Sequence, residues 1–259
     1  MIKHFLKLFV VLLSLGLVTS CDYDDDFVEP NYVTFDSNSI AIDVQENGSN
    51  SREVTIYTGN KVGTDRTFNL VVDATSTLPG SVYDFPSSVT VPANSNEVTF
   101  TVNLADDGLA NSGGTLILML EKTGTYSTGN PLTLTVSKVC PFDINRFVGT
   151  FDASEVFTAG SNAGFSFLEG ESFPVELALN PDDASGNSLV LIDASGNITG
   201  GSVLTFDPAT GGFTIPDDTM VFGRPLVFAS SKTDSCNEKL SFTGALGAFG
   251  EYTVTLQKI

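Results

Sequence analysis

Short segments in which apolar and polar residues alternate one for one recur along most of this chain, and a period of two suits a strand and not a helix. In Val98-Thr99-Phe100-Thr101-Val102, the Val, Phe and Val side chains fall on one face and the threonines on the other. That is the pattern of a strand with one face on a core and one in water. Comparable runs occupy Tyr32 to Phe35, Ile40 to Val44, Glu53 to Tyr57, Thr67 to Val72, Ser88 to Val91, Thr115 to Leu120 and Leu132 to Val136. Turn residues separate them, and about eight such strands in about 105 residues predict an antiparallel β-sandwich. Windows with helical spacing are broken by Gly, Pro or β-branched residues, so the chain reads as all-β.

A boundary is expected near Ser137 to Pro141, where the strand-like run ends at Lys138-Val139-Cys140-Pro141. Beyond it, Phe142 to Phe151 opens a second β region and Tyr252 to Lys258 closes it. Between them lie runs at Val175 to Leu179, Ser188 to Ile192, Ser202 to Phe206, Gly212 to Ile215, Met220 to Phe228 and Lys239 to Phe242. Loops rich in Asp, Asn, Pro and Gly intervene, which predicts an antiparallel meander curling toward a small barrel. Phe147-Val148-Gly149-Thr150-Phe151 resembles the first strand of lipocalin-like barrels, in which a glycine lets the strand bend. The expected units are residues 32–138 and 139–259.

Residues 1–20 have the layout of a secretory signal: Lys3, His4 and Lys7, then an uncharged run from Leu8 to Val18, then Thr19-Ser20-Cys21. The run is about half of the roughly 20 residues that span a bilayer. Leu17-Val18-Thr19-Ser20-Cys21 resembles the lipobox of bacterial lipoproteins, which implies cleavage before Cys21 and a lipid on its thiol. Asp22, Asp24, Asp25 and Asp26 follow, and this acidic stretch is similar to the export tag of surface-displayed lipoproteins of the Bacteroidota. Residues 21–31 are then a tether kept extended by like charges. The resemblance implies a protein attached to the outer membrane through its lipid and displayed at the cell surface.

Cleavage there would remove Lys3 and Lys7 and leave 10 basic against 31 acidic residues, a formal charge of −21. Nucleic acid is excluded as a partner on that balance. The only histidine, His4, leaves with the signal. Ser-His-Asp and Cys-His catalysis and histidine-ligated zinc or copper go with it. Two cysteines remain besides the anchor, Cys140 and Cys236, and in an oxidising compartment they are candidates for a disulfide or for two separate buried thiols.

Ile42 to Gly48, Tyr83-Asp84-Phe85, Val89 to Ser95 and Asp106-Asp107 resemble successive landmarks of Calx-β-type sandwiches, and the layout is similar to immunoglobulin-like domains of Bacteroidota surface lipoproteins. Calx-β domains that hold calcium cluster acids at one end of the sandwich, which makes Glu46, Asp84, Asp106 and Asp107 the candidate ligands and calcium the only candidate cofactor. The sequence departs from that pattern after Asp107, where Gly108 to Gly114 carries no acid although calcium takes six to eight oxygens. An Asp-Asp-Gly turn is the alternative.

Tyr83 and Tyr126 lie in loop-like stretches and are the candidate platforms for a sugar ring, the chain having no Trp. Thirteen of the 20 phenylalanines fall between Phe142 and Phe249, enough either to fill a core or to line an apolar pocket. Asp182-Asp183, Asp217-Asp218 and Asp106-Asp107 are adjacent pairs in turn-like sequence, which diverge where a glycosidase needs carboxyls facing across a cleft. Asp218-Thr219-Met220 resembles the Bacteroidota O-glycosylation motif, with Thr219 as acceptor. These features together predict a noncatalytic envelope module for surface interaction or ligand binding, engaging a polysaccharide or other polymer, a nutrient-uptake partner or another envelope protein, or serving adhesion. The alternatives are a carrier of a small apolar ligand in the C-terminal barrel and a carboxylate-dependent glycan hydrolase.

Overall fold

A computed structural model describes residues 31–122, 124, 126–200 and 202–259. The expected signal sequence, the expected lipid site Cys21 and the acidic stretch up to residue 30 lie outside the described residues.

The chain forms two β units with separate hydrophobic cores, one drawn from Val33 to Val136 and the other from Phe147 to Leu256. In the first, the strands are β1 (Tyr32–Phe35), β2 (Ser39–Gln45), β3 (Ser49–Thr58), β4 (Arg66–Val72), β5 (Tyr83–Asp84), β6 (Ser88–Val91), β7 (Glu97–Ala105), β8 (Gly114–Leu120), β9 (Ser127–Thr128) and β10 (Leu132–Val139). They make two five-stranded sheets, ordered β5-β7-β3-β1-β9 and β2-β10-β8-β4-β6. Alternate residues supply the core between them: Phe100, Val102 and Leu104 from β7 face Leu116 and Leu118 from β8 and Leu132 and Leu134 from β10. The expected sandwich is present, with one refinement. Its ladders are not all antiparallel, because β2 runs parallel to β10 and β1 parallel to β9. The chain forms β1 in one sheet and crosses to the other as β2, so the second strand lies beside the last, β10.

The second unit comprises β11 (Gly149–Ala159), β12 (Phe173–Leu179), β13 (Ser188–Ile192), β14 (Ile198–Thr199), β15 (Val203–Phe206), β16 (Phe213–Thr214), β17 (Met220–Val221), β18 (Arg224–Pro225), β19 (Val227–Asp234), β20 (Lys239–Ala245) and β21 (Glu251–Lys258). Eight of them form one sheet ordered β16-β15-β13-β12-β11-β21-β20-β19, while β14, β17 and β18 form a small separate sheet. The large sheet is nearly a closed barrel. Its edge strands, β16 and β19, are joined by side chains instead of a backbone ladder. Ser231 Oγ accepts from the Phe213 amide at 2.9 Å and donates to the Phe213 carbonyl at 2.5 Å, and Thr233 Oγ1 donates to the Gly211 carbonyl at 2.5 Å.

Two expectations about this half are corrected. The opening segment is not strand throughout: Ile144–Phe147 is a 3-10 turn capped by the Asp143 carboxylate on the Asn145 amide, and the strand begins only at Gly149. The run from Met220 to Phe228 is not one strand. Phe222 and Gly223 both take positive φ, 49° and 71°, and form the two-residue turn of the β17–β18 hairpin, with Val221 paired to Arg224.

Candidate functional site

Strand register fixes which ends of the two units meet. In the sandwich, β3 runs from Ser49, opposite Ala105, to Thr58, opposite Val33 of β1. The chain therefore enters at the Thr58 end and leaves through β10 at the other, where Val139 pairs with Gln45. In the barrel, Phe151 pairs with Lys258 near the linker and Ala159 pairs with Glu251 at the opposite mouth.

The end of the sandwich that carries Glu46 and Asp106 is the one that touches the barrel. Arg146 donates to the Glu46 carboxylate, and the side chains of this pair are 27% and 20% exposed. Lys138 Nζ lies 3.0 Å from Asp106 Oδ1, while Asp106 Oδ2 accepts from the Asn47 amide at 2.8 Å. That amide, with Lys138 beside it, holds the Asp106 carboxyl below the usual carboxylate range despite its burial. Cys140 and Cys236 are bonded, with Cα atoms 5.2 Å apart, and so tie the linker to the β19–β20 turn. Asn111 of the sandwich donates to the Cys236 carbonyl at 2.6 Å.

The four candidate calcium ligands are accordingly split. Glu46 and Asp106 are neutralised by protein cations, whereas Asp84 and Asp107 are exposed. Among the described residues no group of three or more acids is arranged to hold a metal. The end that the resemblance marked for a cation is the end that meets the barrel, where Arg146 and Lys138 pair with Glu46 and Asp106.

The candidate sugar platforms pack onto the sandwich. Tyr83 stacks on Phe85 with ring centroids 5.9 Å apart, and Tyr126 meets Phe68 edge-on at 5.2 Å. Both rings are partly buried against the core. Thr219, the expected glycan acceptor, is 2% exposed, and its carbonyl accepts from the Leu226 amide at 3.0 Å.

Many of the acids are committed to their own turns. Asp183 accepts from the Ser185 amide and hydroxyl, the Asn187 amide and the Ser188 hydroxyl, which lowers its pKa to about 2. Asp73 and Asp207 are lowered by the same kind of bonds, from Thr75 and from Ala209 with Thr210. Asp143 and Asp193 also accept from the amide two residues on. These carboxylates shape loops, and local bonds of this kind explain the acidic turn sequences.

One carboxylate is different. Glu155 is 5% exposed and lies among the inward-facing residues of β11 with Phe151, Ala153 and Phe157. Its Oε2 accepts from Tyr252 Oη at 2.7 Å, and its Oε1 accepts from Ser166 Oγ at 2.6 Å and the Leu168 amide at 2.9 Å. Burial, followed by the bond to Glu155 and its charge, pushes the Tyr252 phenol well above its ordinary range. Aromatic rings surround the pair. Phe157 lies 4.8 Å from Tyr252 and 5.5 Å from Phe167, and Phe167 lies 5.1 Å from Phe222. At the rim, the Arg224 guanidinium sits 4.1 Å over the Phe249 ring. The sequence carried a signal for Glu155 that composition obscures, since it falls in register with the apolar positions of the alternation Phe151-x-Ala153-x-Glu155-x-Phe157.

The barrel's other aromatic cluster lies toward the linker, where Phe142, Phe147 and Phe206 stack at 5.3 to 6.3 Å and Phe206 leans on Phe213. Two open grooves follow the β16–β19 seam. One of about 430 Å³ is bordered by Phe206, Phe213 and Phe228, and one of about 340 Å³ lies beside the disulfide and Phe142.

No protein-family model matches the chain, and no curated protein matches it. Among solved structures, a Bacteroides ovatus protein of unknown function is similar at 13% identity and a TM-score of 0.43, over 87% of this chain and 89% of that chain. The apo-form Calx CBD1 domain is similar at 14% identity and a TM-score of 0.36, over 43% of this chain and 99% of that chain. An auxiliary nutrient binding protein from Bacteroides thetaiotaomicron is similar at 12% identity and a TM-score of 0.34, over 86% of this chain and 91% of that chain. At such scores and identities, nothing about ligand or activity follows from these likenesses.

Proposed function

We propose that this chain is a noncatalytic envelope lipoprotein, lipidated at Cys21, held at the outer membrane and displayed at the cell surface, where its barrel binds a ligand or partner for nutrient uptake or adhesion. The observation that carries this reading is the order of the ends. The chain enters at the Thr58 end of the sandwich, the opposite end of the sandwich meets the barrel, and the aromatic mouth around Phe157 lies at the barrel end away from that junction. A lipid at Cys21 would hold the entry end at the membrane and leave the Phe157 mouth facing outward. The disulfide, the Arg146–Glu46 ion pair and the Asn111 bond to the Cys236 carbonyl favour a stiff spacer over two domains that swing freely.

The noncatalytic part of the proposal rests on chemistry. After cleavage no histidine remains, and the acids of the candidate hydrolase pairs sit in local turns or at the junction. The test is fractionation of cells that express the wild-type protein or C21S, with protease added to intact cells. The wild type should be in the membrane fraction and be cut from outside. C21S should leave the membrane, and equal membrane retention of the two would overturn the proposal.

A further inference from the structure

We propose that the outer mouth of the barrel is a receptor for an organic cation, an ammonium group on a small apolar body, with Glu155 as counter-ion and the rings of Phe157, Phe167, Phe222 and Tyr252 as walls. This deepens the binding-module reading and rests on it only in taking that mouth as the ligand-facing end.

The first argument is that the buried carboxylate has neutral donors and no counter-charge. A carboxylate removed from water is costly unless it is paired or fully hydrogen-bonded. Among the described residues no cation pairs with Glu155, whose donors are a phenol, a hydroxyl and an amide. The second is the character of the wall. Ring faces attract cations, most strongly where water is excluded, and a ring cluster with one buried carboxylate is suited to an ammonium ion. The third is that the cluster already holds a cation at its rim: Arg224 lies over Phe249, whose ring is 6.4 Å from Phe157.

In the structure described, the segment between β11 and β12 fills the site. Ser166 and Leu168 take up Glu155 Oε1, and Phe167 closes on Phe157 and Tyr252. The same segment carries Phe165, which is 52% exposed, next to the glycine at 164 with φ of 85°. An ammonium ligand brings donors that replace Ser166 Oγ and the Leu168 amide, so binding and release of this segment are one exchange. The segment is thus a lid whose contacts compete with the ligand.

The test is NMR titration of the purified full chain at neutral pH with benzylammonium, beside uncharged benzyl alcohol. The ammonium should bind and shift the Tyr252 and Phe157 ring signals, and benzyl alcohol should bind at least tenfold more weakly. E155Q should weaken ammonium binding at least tenfold. S166A keeps the carboxylate, removes one lid bond and should tighten binding several-fold, so it decides the matter even where E155Q fails to fold. Absence of ammonium binding at millimolar concentration, equal binding of benzyl alcohol, or unchanged affinity in E155Q or S166A would overturn the proposal. Membrane attachment through Cys21 is read by fractionation, so failure of either proposal is distinguishable from failure of the other.

Discussion

Arg146, in the first turn of the barrel, donates to the carboxylate of Glu46, at the end of the second sandwich strand, 100 residues earlier. Lys258 Nζ then donates to the Arg146 carbonyl at 2.6 Å, so the last strand is tied to the same point. The pair is partly exposed, and pairs of that kind contribute on the order of 1 kcal/mol or less. R146M should therefore leave the melting temperature within a few degrees of wild type while loosening the junction. Limited proteolysis across residues 138–146, with the disulfide intact and reduced, checks this. Faster cutting in R146M is expected chiefly after reduction.

The disulfide should matter more. Its cysteines are 96 residues apart, and in the chain-entropy model closing a loop of that size stabilises by about 4–5 kcal/mol. Replacing both cysteines by serine should lower the unfolding free energy of the barrel by an amount of that order, shift its denaturant midpoint down accordingly, and affect the sandwich core less. Chemical denaturation followed by NMR signals from each unit separates the two.

Ser231 is both acceptor and donor to Phe213 across the seam. S231A leaves that amide and carbonyl without those bonds, which should cost about 1–3 kcal/mol. Hydrogen exchange at the Phe213 amide should accelerate in S231A. Unchanged protection would mean that the seam is closed by other contacts.

Asp183 has a pKa lowered to about 2 because four donors bind its carboxylate. A depressed folded-state pKa adds stability that is present above the unfolded value and lost as pH falls through the folded one. The 180–188 loop should therefore hold its bonds at pH 4 and lose them toward pH 2. Carbon-detected NMR titration of the Asp183 carboxyl checks this, and a midpoint near 4 would refute it.

Tyr252 shows the opposite sign. Its phenol is raised by burial and by Glu155, so its contribution persists below the ordinary tyrosine range and fails as pH rises beyond it. In an alkaline ultraviolet titration, Y252F should lack the highest-pH step of the wild type. Losing a hydrogen bond to a buried carboxylate should also cost Y252F about 1.5–3 kcal/mol.

The sequence by itself determined much of this protein. Alternation placed most of the longer strands and set Phe100 and Val102 on the buried face of theirs. Side-chain parity in a strand is a local property, and so it is legible without a partner. The adjacency of Asp182 and Asp183 likewise pointed to a turn, because the bonds that fix Asp183 come from residues within five positions of it.

Only tertiary structure decided the rest. The parallel partnership of β2 with β10, and the side-chain closure of β16 on β19, depend on which distant strands meet. Glu46 and Asp106 match a calcium-binding pattern in sequence, but Arg146 and Lys138 arrive from later in the chain to neutralise them. Glu155 and Tyr252 are 97 residues apart, and only the register of β11 against β21 brings carboxylate and phenol within 2.7 Å. Period and turn chemistry are written over a few neighbouring residues, whereas charge pairing and ring clusters belong to strands that become neighbours only when the sheet forms.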